Sequence, residues 1–105
     1  MLSAMLDIQP RGDTTVVRVI GACDFGSRDV LTRTLADVAA TGVPRVIVSL
    51  DACEYIDSSI VTALLQFRRK LRERFVLVVP EDRRTIHRIL GILGLHATLG
   101  VRPAV

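Results

Sequence analysis

Apolar positions change their spacing several times along the chain, and each change falls on residues that favour turns. Met5 to Gln9 alternate apolar and polar side chains as a short strand. Pro10-Arg11-Gly12-Asp13 reads as a turn, and Thr15 to Ile20 is a β-branched run, so a hairpin is expected. The period then becomes helical. Leu31, Leu35 and Val38 share one face, Ser27 is a possible N-cap, and Gly42 with Pro44 closes the helix. Val46 to Leu50 predicts a buried strand, after which Ile60, Leu64, Phe67 and Leu71 trace a second amphipathic stripe. Phe75 to Val79 is an unbroken apolar run, suited to a strand deep in a sheet, and Pro80 ends it. A third helix is expected from about Asp82, with Ile86, Ile89, Leu90 and Leu93 on one side and a stop near Gly94; Ala97 to Val101 remains for a short edge strand.

Strands alternating with helices imply βαβ units with parallel strands and right-handed crossovers, hence an α/β fold. Every strand-to-helix loop then lies on the same edge of the sheet, the edge where such folds place their sites. Asp24, the stretch Asp51 to Ser59, and Glu81 with Asp82 should therefore converge. A length of 105 residues fits one domain over residues 1–105, with no room for a second core. Met1 to Leu6 lack the basic start and long apolar run of a signal peptide, and no stretch is long enough to span a membrane, so a cytoplasmic protein is expected.

Half of the residues are hydrophobic but only 4% are aromatic, which suits a core of Val, Ile and Leu. Cys23 and Cys53 are too few for a disulfide framework or a zinc module and are expected as free thiols. The net charge of +3 comes with two basic clusters, Arg68 to Arg74 and Arg83 to Arg88, while acids dominate the earlier stretches of the chain. Such polarity fits a solvated face or a docking surface for an acidic protein; neither helix-turn-helix spacing nor an aromatic platform points to nucleic acid.

The strongest local signal is the corner Asp57-Ser58-Ser59. Asp57 is a natural N-cap, which places both serines in the first turn of the following helix, among unpaired amides. A turn needs one capping side chain, so a second polar group is surplus unless something outside the chain uses it. A phosphate added there would be favoured by the helix dipole and those amides, and would present up to about two negative charges at an exposed edge. The bland alternative is that Asp57 and Ser58 merely cap the helix and Ser59 is incidental.

Other chemistries fit worse. Gly91 and Gly94 lie in an apolar helix end rather than a phosphate loop, and His87 and His96, nine apart, suit a surface and a loop position rather than a metal site. Neither histidine follows the strand edge that carries the serines, as the base of a hydrolase would. An aspartyl-phosphate receiver built on Asp24, Asp51, Glu54 and Asp57 would need a lysine at that edge, and Lys70 is mid-helix. No enzyme activity, cofactor or metal is expected.

The stretch RVIVSLDACEYIDSSIVTALLQFRRKL resembles the central block of the STAS domain family, typified by bacterial anti-sigma factor antagonists, in which a buried strand runs into an Asp-Ser-Ser or Asp-Ser-Thr corner. VVRVIGACD is similar to the family's second strand with its Gly-x-x-Asp, and PEDRRTIHRILGILGL to its third helix. The resemblance implies a small mixed sheet of four or five strands with helices mainly on one face. It also implies an anti-sigma factor that is a serine kinase as partner, and a phosphatase. On it, Ser58 is the phosphorylation site, Asp24, Asp57, Ser58, Ser59 and Ile60 form the partner surface, and the free protein is a monomer. Where the family usually continues with Gly-Leu, this chain has Ile60-Val61, and Ala22-Cys23 replaces a more usual Glu-Leu pair.

Two readings follow from the resemblance. In one, the protein is an antagonist that binds the anti-sigma factor, frees a sigma factor, and is switched off at Ser58. In the other it is a STAS-type interaction or ligand-sensing module, unswitched by phosphate, acting within a signalling or transport assembly.

Overall fold

A computed structural model describes residues 5–104. Met1 to Ala4, the start of the segment expected to lack a targeting signal, lie outside the described residues. Strands β1 (Met5–Arg11) and β2 (Thr14–Cys23) form the antiparallel hairpin, and α1 (Arg28–Ala40) leads to β3 (Arg45–Ile56). Then come α2 (Ser58–Leu71), β4 (Phe75–Val78), α3 (Arg84–Leu93), the short α4 (His96–Leu99) and β5 (Val101–Arg102). The sheet order is β1-β2-β3-β4-β5, with β2 to β5 parallel, so the mixed α/β sheet is as expected.

Strand alternation decides which face the helices cover. Val17 and Val19 of β2, Val46, Val48 and Leu50 of β3, and Phe75 and Leu77 of β4 point to one side, into a cluster with Leu31 and Leu35 of α1, Ile60, Leu64 and Phe67 of α2, and Ile86 and Leu90 of α3. Burying each such side chain is worth about 1.5–3 kcal/mol, and this one-sided core is what holds the helices down. On the opposite face, among the described residues, the buried apolar cluster is small: Ile47, Val76 and Val78 with Val16 beside it.

Several boundaries differ from the sequence reading. β1 runs on through Pro10 and Arg11, leaving only Gly12-Asp13 as the turn, because a proline is tolerated on an edge strand. β3 continues six residues past Leu50. Its pairing with β2 shifts register between Arg18 and Ile20 and again between Gly21 and Ala22, so bulges break the alternation that would have revealed the extension. Gly21 sits at this irregularity with φ +90°, a conformation that side chains resist. Ala97 to Leu99, expected as strand, belong to α4, and only Val101 and Arg102 pair as β5. Leu99 is fully buried and anchors that turn to the core. The third helix starts at Arg84 rather than Asp82 and ends at Gly94, whose left-handed φ of 66° closes it as expected.

Candidate functional site

The extended backbone of Asp57 ends β3 and caps α2. Its Oδ1 accepts the Ile60 amide at 3.1 Å and the Ser59 hydroxyl at 2.5 Å. Its Oδ2 accepts the Phe25 amide at 2.9 Å, across from the loop after β2. Burial alone would raise the Asp57 carboxyl, but the hydrogen bonds from Ser59, Ile60 and Phe25 outweigh it and hold the group below the usual carboxylate range. Asp57 therefore stays ionised near neutrality and ties two loops together.

Asp24 has the equivalent role in the loop after β2. Its carboxylate accepts the Gly26 amide at 3.0 Å and its carbonyl accepts the Ser27 amide at 2.9 Å, which winds residues 25–27 into a single 3-10 turn ahead of α1. Ser27, the expected N-cap, precedes α1 without a side-chain capping bond. The aspartates that follow β2 and β3 thus shape one continuous rim.

The two serines are not equivalent. Ser59 is half-buried and its hydroxyl is committed to Asp57. Ser58 is exposed, and among the described residues its hydroxyl has no hydrogen-bond partner; only its carbonyl is used, by the Thr62 hydroxyl at 2.9 Å. It occupies the first position of α2, where the helix dipole favours added negative charge.

Ile60, expected on the partner surface, has a side chain only 1% exposed and packed in the main core. Its amide alone serves the corner. The β-branched residue is there because the first turn of α2 already faces the sheet. Phe25, by contrast, is 74% exposed on the rim and was not among the expected residues. The available signal was an aromatic directly after a loop aspartate in a chain with three phenylalanines and one tyrosine.

The third loop joins the same edge lower down. Asp82 and Arg83 border a small cavity with Cys53 and Glu54, and the Arg83 guanidinium donates to the Cys53 carbonyl at 3.4 Å. Among the described residues no hydrogen bond or ion pair links Glu81 or Asp82 to residues 57–59. Asp51 departs further from expectation. It lies inside β3 on the helix-free face, where it accepts both the Arg18 Nε at 2.9 Å and the Ser49 hydroxyl at 3.0 Å, and the Arg18 hydrogen bond lowers its pKa.

Cys23 and Cys53 are free, as expected; both are also buried, and burial pushes the Cys23 thiol up to about 12 and the Cys53 thiol upward as well. Neither is a thiolate near neutral pH. His87 and His96 are not independent surface and loop positions. The Nδ1 of His87 and the Nε2 of His96 lie 3.0 Å apart, while His87 Nε2 faces the Val79 and Pro80 carbonyls at 3.2 and 3.0 Å. Carbonyls only accept, so His87 carries its proton on Nε2 and, when neutral, accepts at Nδ1 from His96. The pair fastens α3 to α4. Among the described residues, no helix is long and apolar enough to cross a membrane.

A family model for the STAS domain matches residues 5–105. No curated protein matches the chain. Similar solved structures include an anti-sigma factor antagonist from Mycobacterium paratuberculosis, at 22% identity and a TM-score of 0.86, covering 97% of this chain and 87% of that one. The Bacillus cell fate determinant SpoIIAA in its phosphorylated form gives 20% identity and a TM-score of 0.70, with 96% and 92% covered. A sulfate transporter family protein from Wolinella succinogenes gives 23% and 0.71, with 90% and 80% covered. At these identities the likeness establishes the fold.

Proposed function

The chain belongs to the STAS domain family, and on that premise we propose that it is an anti-sigma factor antagonist, a binding module without catalytic activity that is switched off by phosphorylation of Ser58. The observation that carries this reading is the division of labour between the serines: Ser59 holds the Asp57 cap together, while the exposed Ser58 hydroxyl has no structural task. The rim of Asp24, Phe25 and Asp57 around it supplies the docking edge for the anti-sigma factor, with the exposed Phe25 ring as its apolar centre. Aromatic side chains, phenylalanine among them, are enriched at the cores of protein interfaces.

Phosphorylation acts there by charge. A phosphoserine brings about −1.5 to −2 charge beside the ionised Asp57. The helix N-terminus tolerates the phosphate within the free protein, but a docked partner would have to desolvate it next to one or two carboxylates. Each 1.4 kcal/mol of that penalty is about tenfold in affinity, so a hundredfold loss needs about 3 kcal/mol. A phosphatase restores the free hydroxyl. A second reading, an unswitched STAS module of a transport or signalling assembly, is favoured by the similar fold of the sulfate transporter family protein.

The deciding experiment incubates the wild type, Ser58→Ala and Ser59→Ala with the host's anti-sigma serine kinase and ATP, and follows intact mass. The proposal expects one phosphate on the wild type and on Ser59→Ala, and none on Ser58→Ala. Equal incorporation into Ser58→Ala would overturn it. Absent incorporation into every protein, together with absent binding to the kinase, would leave the unswitched module.

A further inference from the structure

The face of the sheet that no helix covers has an ordered charge pattern across strands. In the first row Arg11, Thr14 and Arg45 stand side by side on β1, β2 and β3. In the next, Gln9, Val16 and Ile47 are in register, and Val76 of β4 extends the row. In the third, Asp7, Arg18 and Ser49 line up. Rows two residues apart are separated by about 6.7 Å, and the outer strands of three by about 10 Å, so two guanidiniums flank one end of a shallow apolar floor. The floor and rim border an open, shallow depression of about 510 Å³.

The two ends differ in charge balance. At the third row the Arg18 Nε is held by both oxygens of Asp51, at 2.9 and 3.1 Å, with Asp7 in register next to it, so that cation is neutralised. At the first row Arg11 donates only to the Gln9 amide oxygen, at 2.9 Å, and the Arg45 side chain has no partner among the described residues. Asp13, the acid in the adjoining turn, accepts the Thr14 hydroxyl at 3.2 Å, and among the described residues no ion pair joins it to Arg11 or Arg45. An excess of positive charge therefore sits at the hairpin end and an apolar surface beside it. Ile47 is only 1% exposed, so the accessible floor is chiefly Val16.

We propose that this face is a binding site for a small anion that carries an apolar group, its acid group held between Arg11 and Arg45 and its apolar part lying on Val16 toward the Arg18–Asp51 pair. Guanidiniums match phosphate and carboxylate oxygens with paired donors, and two of them about 10 Å apart at the backbone can close on one acid group. The hydrogen-bonded Asp51 keeps Arg18 from competing for that group and leaves its outer edge polar, which caps ligand length at about 13 Å, the distance between first and third rows. The site lies at the start of β3, whereas Ser58 follows its end, so ligand and partner would occupy opposite ends of the same strand.

Phenyl phosphate is the probe, titrated into the full chain and followed by amide and methyl chemical shifts, with phenol and inorganic phosphate as controls. Saturable shifts are expected at Val16, Thr14 and Arg45 with phenyl phosphate, at least tenfold weaker binding for inorganic phosphate, and none for phenol. Arg11→Gln and Arg45→Gln should each weaken phenyl phosphate about tenfold, and the double variant should abolish its binding. Ser58→Ala should leave it unchanged, so this test stands apart from that of the switch. Shifts scattered over other arginines, or binding unaffected in the double variant, would overturn the proposal, as would inorganic phosphate binding equally well without moving Val16.

Discussion

The Phe25 amide donates to the Asp57 carboxylate at 2.9 Å, and this bond joins the loop after β2 to the N-cap of α2. Through it the cap of one helix positions the exposed aromatic residue of the neighbouring loop. Replacing Asp57 by Ala removes the acceptor for Phe25, Ser59 and Ile60 together, and loss of an N-cap costs about 1–2 kcal/mol. The Phe25 amide should then exchange with solvent faster than in the wild type.

The same group gives a pH dependence with a definite sign. The folded-state pKa of Asp57 is lowered, so its contribution is present above the ordinary carboxylate value, about 3.9, and is lost as the pH falls through the folded value. The stability gap between wild type and Asp57→Ala should be constant from about pH 6 to 8 and shrink below about pH 4. Urea midpoints measured across that range check it; a gap that widened in acid would contradict the assignment.

The two serines should separate in stability as well as in phosphorylation. Ser59→Ala removes a hydrogen bond to a charged group and should cost about 1–3 kcal/mol, whereas Ser58→Ala, exposed and unpartnered, should stay within about 0.5 kcal/mol of wild type. Reversal of that order in thermal or urea unfolding would show that Ser58 is the structural member.

How much of this was legible in the sequence varies with how local the cause is. Asp57 as a cap, Gly94 as a helix stop and the valine strands were readable because capping, left-handed turns and apolar runs depend on neighbouring residues. The length of β3 was not, because bulges near Asp51 and Glu54 erase the two-residue period on which strand recognition depends. Asp51 was misplaced for the same reason: once β3 is cut at Leu50, the next acid falls in a loop. Phe25, the Arg18–Asp51 pair and the His87–His96 pair depend on partners far along the chain or on exposure, which spacing does not encode.

Ile60 shows what a departure from a family pattern can mean. Buried with Leu64 under α2, it should tolerate loss of one methyl in Ile60→Val at about 0.5–1.5 kcal/mol, while Ile60→Gly leaves a cavity and a flexible first turn and should cost about 3–6 kcal/mol. On the proposed antagonist reading, Ile60→Val should bind an anti-sigma factor as the wild type does under conditions where both are folded. A loss of binding without a loss of stability would return this side chain to the partner surface.

Arg72, at the end of α2, is the one non-glycine residue with a positive φ among the described residues, at φ 53° and ψ −121°. That region is nearly reserved for glycine, and holding an arginine there costs on the order of 1–3 kcal/mol. The arginine side chain is exposed, and the bond that its position does support, from the Arg68 guanidinium at 2.9 Å, goes to its backbone carbonyl, which glycine retains. Glycine loses more chain entropy on folding, an offset of about 0.5–1 kcal/mol. Arg72→Gly should therefore stabilise the protein by about 1 kcal/mol, which for a domain of this size raises the melting temperature by about 4–8 °C. Calorimetric unfolding of the two proteins side by side measures it, and a lower melting temperature for Arg72→Gly would mean that the positive φ is relieved in solution or that the Arg72 side chain stabilises the fold after all.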